Sequence, residues 1–188
     1  MKKVLFSMLV LILAIGVALP LAVPTSAAER PTKDNPWAWV LVAAQNSNIG
    51  YVHIWNDENN LYVKYIITSP GWEIQETHLA VADGNRIEGV PEAIPQTKKG
   101  NPKVGQFPYQ QMHENGTTEY IYEIPLSDYA WPKSASDPNA CLYIAAHAVV
   151  VNGCGNDETA WGWGDPCTGG EFPGRSWARY LKYYPDYS

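Results

Sequence analysis

Residues 51–67 read YVHIWNDENNLYVKYII. Two runs rich in β-branched and aromatic residues, Tyr51–Trp55 and Leu61–Ile67, flank the segment Asn56-Asp57-Glu58-Asn59-Asn60. Asn and Asp side chains hydrogen-bond their own backbone and so hold tight turns, which makes this stretch a β-hairpin. The same grammar repeats on both sides of it. Trp37–Ala44 (WAWVLVAA) reads as a first strand and Trp72–Val81 (WEIQETHLAV) as the strand after the hairpin. In the latter, Ile74, Thr77, Leu79 and Val81 cannot share one face at a strict period of two, so a bulge near Gln75-Glu76 is expected to restore the register. Asn115-Gly116 marks a turn before the alternating strand Glu119–Ile124. Cys141–Val151 (CLYIAAHAVVV) is apolar on both faces and reads as a central strand, and Ser176–Tyr184 as a final, aromatic one.

Two stretches break the pattern. Asp83–Met112 carries four prolines, four glycines and the polar run Lys98-Lys99-Gly100-Asn101-Pro102-Lys103. Connections of that length without a period of their own are uncommon in compact domains. Phe107 and Tyr109 at its end offer two rings to pin it onto a sheet. The second irregular stretch runs from Asn152 to Gly174. No segment sustains a helical period. The expectation is an all-β fold, an antiparallel β-sandwich with two long irregular loops, forming one domain over residues 37–188 behind a loose segment at 29–36.

The N-terminus has another character. Lys2 and Lys3 precede a nearly unbroken apolar run from Val4 to Val23, which ends in Pro24-Thr25-Ser26-Ala27-Ala28. A positive start, an apolar middle and a small-residue exit define a cleavable export signal, expected here over residues 1–28. Pro20 and Pro24 argue against a spanning helix, and no basic stop-transfer cluster follows. Without Lys2 and Lys3, 11 basic residues stand against 19 acidic ones, a net charge of −8. Such a domain repels phosphate backbones and anionic lipid, so neither nucleic acid nor a membrane surface is an expected partner. All 8 Trp and 12 Tyr follow the leader and supply the buried area a β-rich domain needs.

Export bears on the three cysteines, Cys141, Cys154 and Cys167. An oxidising compartment favours one disulfide and leaves one thiol over. Cys154 and Cys167 flank a Gly-rich segment and are the preferred pair, while Cys141 heads an apolar strand and reads as a buried thiol. Asn115-Gly116-Thr117 is a glycosylation sequon for a host that modifies exported proteins.

Chemistry-bearing residues are few. His78 and His147 lie within strands, with Glu76 two residues before the first and Glu158 just past the second strand. If these segments adjoin, imidazoles and carboxylates converge as a zinc or other transition-metal set, or as a general acid/base pair. The competing reading is a buried histidine hydrogen-bonded to a carboxylate that holds the core in register. Asp57-Glu58-Asn59-Asn60 and Asn156-Asp157-Glu158 are clusters of hard oxygen ligands that suit calcium, although neither has the spacing of a calcium loop. Trp72, Trp161 and Trp163 stand in Gly-rich surroundings, where exposed rings anchor ligands and buried ones plug the core. No Gly-x-Ser-x-Gly nucleophile motif occurs.

Taken in order, Asn60-Leu61-Tyr62-Val63-Lys64-Tyr65, Gly71-Trp72, Glu76-Thr77-His78-Leu79 and Gly100-Asn101-Pro102 form a set. It continues with Gly105-Gln106-Phe107-Pro108-Tyr109, Leu142-Tyr143-Ile144-Ala145-Ala146-His147-Ala148, Glu158-Thr159-Ala160-Trp161-Gly162 and Trp177-Ala178-Arg179-Tyr180. This set resembles a secreted domain family of bacterial and archaeal surface proteins. The resemblance implies an extracellular β-rich module, frequently attached to larger surface proteins. It carries over no catalytic residues. This chain ends just after its last strand, which weakens the expectation of cell-wall attachment. The hairpin alone is also similar to β-sandwich sugar-binding modules.

Three functions follow as expectations. The first is a secreted, non-enzymatic module that binds extracellular carbohydrate or other surface proteins and needs no cofactor. The second is a small exported hydrolase or metalloenzyme built on His78, His147 and Glu158. The third is a structural subunit of an extracellular layer or filament that pairs through exposed sheet edges.

Overall fold

The structure, a computed structural model, describes residues 31–85, 89–129, 140–164 and 168–184. The expected leader over 1–28 lies outside them. Ten strands follow one another: β1 Trp37–Ala43, β2 Ser47–Asn56, β3 Asn60–Ile67, β4 Glu73–Asn85, β5 Tyr109–Met112, β6 Glu119–Pro125, β7 Ala140–Val151, β8 Asp157–Trp163, β9 Gly169–Glu171 and β10 Arg179–Tyr183. Every pairing among them is antiparallel.

The hairpin that opened the sequence reading is β2–β3, with Tyr51 opposite Ile66 and Ile54 opposite Val63. Its turn is built by one side chain. Asp57 Oδ1 accepts the backbone N–H groups of Asn59 (2.8 Å) and Asn60 (2.7 Å), and its Oδ2 accepts the Tyr62 hydroxyl at 2.8 Å. The β1–β2 turn instead places Ala44 and Gln45 at φ 49° and 70°, a left-handed pair that neither residue type announces.

The strands form one sheet in the order β5-β4-β7-β8-β1-β2-β3-β6, with β10 pairing β7 and β9 pairing β10. The sheet curls until its two ends face each other, so the two packed layers of the expected all-β antiparallel architecture are halves of a continuous sheet. Across the seam, the Tyr65 hydroxyl of β3 donates to the His78 carbonyl of β4 at 3.2 Å, and Tyr122 of β6 meets Thr77 of β4 at 2.8 Å.

Register decides which side chains enter the interior. The β4–β7 ladder shifts between Ile74 and Glu76, leaving Gln75 without a partner. This bulge is the one the spacing required, and it brings Ile74, Thr77, Leu79 and Val81 to the inner face, where all are buried. On β7, Leu142, Ile144, Ala146, Ala148 and Val150 point inward with them. The alternate residues Cys141, Tyr143 and Ala145 lie on the outer face beneath a second apolar layer. That layer comes from the connections, with Ile94, Phe107 and Phe172 each 2 % exposed or less. The β4–β5 connection is therefore a cover held by its own rings, as the placement of Phe107 suggested.

The stretch 152–174 departs from its expected irregularity, since it contains β8 and β9. Gly155 takes φ 79° in the turn before β8, whereas Gly162, Gly164 and Gly170 serve close approach. A Cβ at Gly162 would stand 3.2 Å from the side chains of both Leu181 and Val52 and would press on them, so glycine lets β8 pass there without displacing its neighbours. The same finding overturns the expected disulfide. Cys154 carries a free, exposed thiol, and Cys167 lies outside the described residues. Cys154 sits in a turn where Asn152 Oδ1 accepts its N–H at 2.9 Å. From there the seven residues of β8 carry the chain roughly 20 Å along the sheet instead of closing a loop. Cys141 is buried, as its place at the head of β7 implied.

Candidate functional site

The outer face of β4 and β7 brings together three of the four polar residues singled out from sequence. His78 and His147 are directly opposed on the ladder, and their Nδ1 atoms are 3.2 Å apart. Glu76, next on the same face of β4, places Oε2 3.5 Å from His78 Nε2. Glu158 does not join them. It pairs with Val150, which points into the core, and so lies on the opposite face of the sheet from His147. A residue number one step out of phase is enough to cross the sheet.

Both imidazoles are neutral at ordinary pH. Burial holds His147 down at about 3, and the neighbouring His78 ring adds to the effect. Burial lowers His78 as well, while the Glu76 carboxylate pulls the other way. Trp161 sits directly opposite His147 on β8 and meets its ring edge to face at 4.8 Å. Phe107 in turn packs on Trp161 with ring centroids 6.4 Å apart. Trp161, 3 % exposed, is thus the roof of the histidine pair and not an exposed anchor. Trp72 packs, half-buried, against the inner core.

Trp163, two residues on, is the aromatic candidate that reaches the surface. It lies opposite Val40 of β1, which lies opposite Tyr51 of β2. Two shallow clefts of about 480 and 410 Å³ flank its ring. The Arg179 guanidinium covers one part of it at 4.4 Å and is itself paired with Glu171 at 2.6 Å. Among the described residues, this outer face over β1, β2, β3 and β6 has no apolar cover like that over β4 and β7. Tyr51 and Ile121 are each 42 % exposed there, and Val40, His53 and Ile66 are half-buried. Its lysine, Lys64, is neutralised by Glu119 at 2.6 Å.

A third grouping was missed from sequence. Thr77 Oγ1 is 2.8 Å from both His113 Nε2 and the Tyr122 hydroxyl, and Tyr120 stacks edge-on to His113 at 4.5 Å. Burial lowers the His113 pKa and pushes Tyr122 up to about 12. A hydroxyl against an imidazole is the geometry of an activated nucleophile, but Thr77 is fully buried and out of reach of a substrate. The grouping ties the two ends of the sheet. The alternation of Tyr120 and Tyr122 with Glu119, Ile121 and Glu123 was its trace in the sequence, but it does not name Thr77 as the partner.

The oxygen-rich loops are accounted for by their own turns. Burial works to raise the Asp57 carboxyl, yet the donors from Asn59, Asn60 and Tyr62 outweigh it and lower the pKa. Asn152 Oδ1 accepts the N–H groups of Cys154 and Asn156 at 2.9 and 3.1 Å. Asn115 is exposed in its turn, where Gly116 takes φ 86° and donates its N–H to Glu73 at 2.8 Å. Among the described residues no group of three His, Cys, Asp or Glu side chains is placed to hold a metal ion. No family model, no curated protein and no solved structure matches the chain.

Proposed function

We propose that the protein is an exported, non-enzymatic binding module whose binding face is the outer surface of β1, β2, β3 and β6 together with Trp163 at the adjoining end of β8, uncovered among the described residues, and that it takes extracellular carbohydrate. The observation that carries this reading is the contrast between the two halves of the outer face. One half lies under Ile94, Phe107 and Phe172, while the other leaves Tyr51 exposed in line with Trp163 and Ile121 exposed one row away. Adjacent strands stand about 4.8 Å apart, so Trp163 and Tyr51, two strands apart, are spaced by roughly 10 Å, about the repeat of a disaccharide in an extended glycan. Aromatic rings offer sugars an apolar stacking surface, and Lys64 of this face is already paired with Glu119, which disfavours an anionic ligand. The apolar leader and the resemblance to secreted surface domains support the extracellular setting.

The test is retention of the purified chain on insoluble and soluble polysaccharides. At least one glycan should retain it, and Tyr51→Ala and Trp163→Ala should each weaken binding about tenfold without shifting the melting temperature. No retention on any glycan, or retention indifferent to both substitutions, removes the reading.

A further inference from the structure

We propose that His78 and His147 are the two protein ligands of a site for a divalent transition-metal ion, copper or zinc, on the outer face of the β4–β7 pair. This site is separate from the binding face above and does not depend on it. The geometry carries it. In a tetrahedral ion with metal–nitrogen bonds of 2.0–2.1 Å, two ligand nitrogens stand about 3.3 Å apart. The two Nδ1 atoms are already 3.2 Å apart and belong to directly opposed residues of one ladder, so an ion replaces the proton between them with almost no strand movement.

The surroundings fit as well. Glu76 approaches His78 on the far nitrogen, Nε2, at 3.5 Å, the arrangement in which a carboxylate orients a metal-bound imidazole and raises its basicity. Trp161, packed on His147, fixes that ring's plane. The side chain of His78 is 11 % exposed and that of Glu76 33 %, which sets the approach on the β4 side. No third His, Cys, Asp or Glu completes the set among the described residues, so water fills the remaining positions. Imidazole nitrogen without thiolate selects copper and zinc over calcium or magnesium, with copper the tighter.

The experiment uses the full chain carrying Cys154→Ser, so that the exposed thiol takes no ion. The chelator-stripped protein is titrated calorimetrically at about pH 7 with Cu2+ and, separately, Zn2+, and the copper form is read by electron paramagnetic resonance. The expected result is one saturable ion per chain, with hyperfine structure from two imidazole nitrogens. His78→Gln should weaken binding tenfold or more, while His53→Gln and His113→Gln leave it unchanged. Absence of saturable binding by either ion overturns the site. A copper spectrum without two nitrogen ligands also overturns it, and because that measurement is made with both histidines in place, it decides the question even if His78→Gln fails to fold.

Discussion

Single residues in this molecule are defined by what burial does to them, and His147 is the extreme case. All four histidines have their pKa lowered, with burial the largest cause each time. For His147 the ordinary value is 6.5 and the folded one about 3, so the unfolded chain takes up the proton first. Its contribution to stability is complete above pH 6.5 and is lost as the pH falls through that window toward 3. Each unit across it amounts to about 1.4 kcal/mol, so this group alone removes roughly 2 kcal/mol by pH 5. Urea unfolding at pH 7.5 and pH 5 checks this: the midpoint should fall, and His147→Gln should flatten the difference. An unchanged midpoint in the natural chain would refute it. The cysteines give a second outcome at this scale. Iodoacetamide should label Cys154 in the native protein, whereas Cys141 should react only after unfolding. Peptide mass mapping distinguishes the two, and native labelling of Cys141 would contradict its burial.

At the scale of elements, the sheet's outer face depends on a connection that is not itself regular structure. Phe107 lies between the short 3-10 turn Val104–Gln106 and β5, and is 1 % exposed against Trp161. Phe107→Ala should destabilise the fold by about 3–5 kcal/mol and open residues 89–106 to proteolysis before global unfolding. Equal resistance to limited proteolysis in both chains would show that the ring is not the pin. Much of this level was legible in the sequence. The β2–β3 hairpin was readable because Asp57 and its neighbours are turn chemistry, and the bulge at Gln75 because four apolar or buried positions had to share a face. β8 was not readable, because Gly162 and Gly164 look like turn signals until Leu181, Val52 and Trp39 are known to crowd them. The candidate site was legible in part for the same reason. His78 and His147 lie in strands whose faces can be counted, but assigning Glu158 requires the β7–β8 register, which no local pattern carries.

The whole molecule is a sheet bent into contact with itself, and its closure rests on a small number of polar ties. Tyr122 is the central one. Its hydroxyl reaches both Oγ1 (2.8 Å) and the carbonyl (3.1 Å) of Thr77 across the seam, amid Tyr65, Tyr109 and Tyr120. Tyr122→Phe keeps the ring packing and removes the tie, so it should cost about 1–3 kcal/mol in urea unfolding while leaving the far-ultraviolet dichroism unchanged. An unaffected midpoint would mean that apolar packing alone holds the ends together.

The strand order also dictates when the molecule can come into being. Chain emerging up to β6 makes two separate pieces, β1-β2-β3-β6 and β4-β5, with no ladder between them. Only β7 and β8 connect these pieces by a continuous ladder, because β7 pairs β4 and β8 pairs β1. Until the polypeptide from Ala140 onward is available, both fragments carry unpaired edges and unburied inner faces. Closing the sheet therefore depends on pairings between segments far apart in the chain, which makes folding slower than that of a fold assembled from successive neighbours.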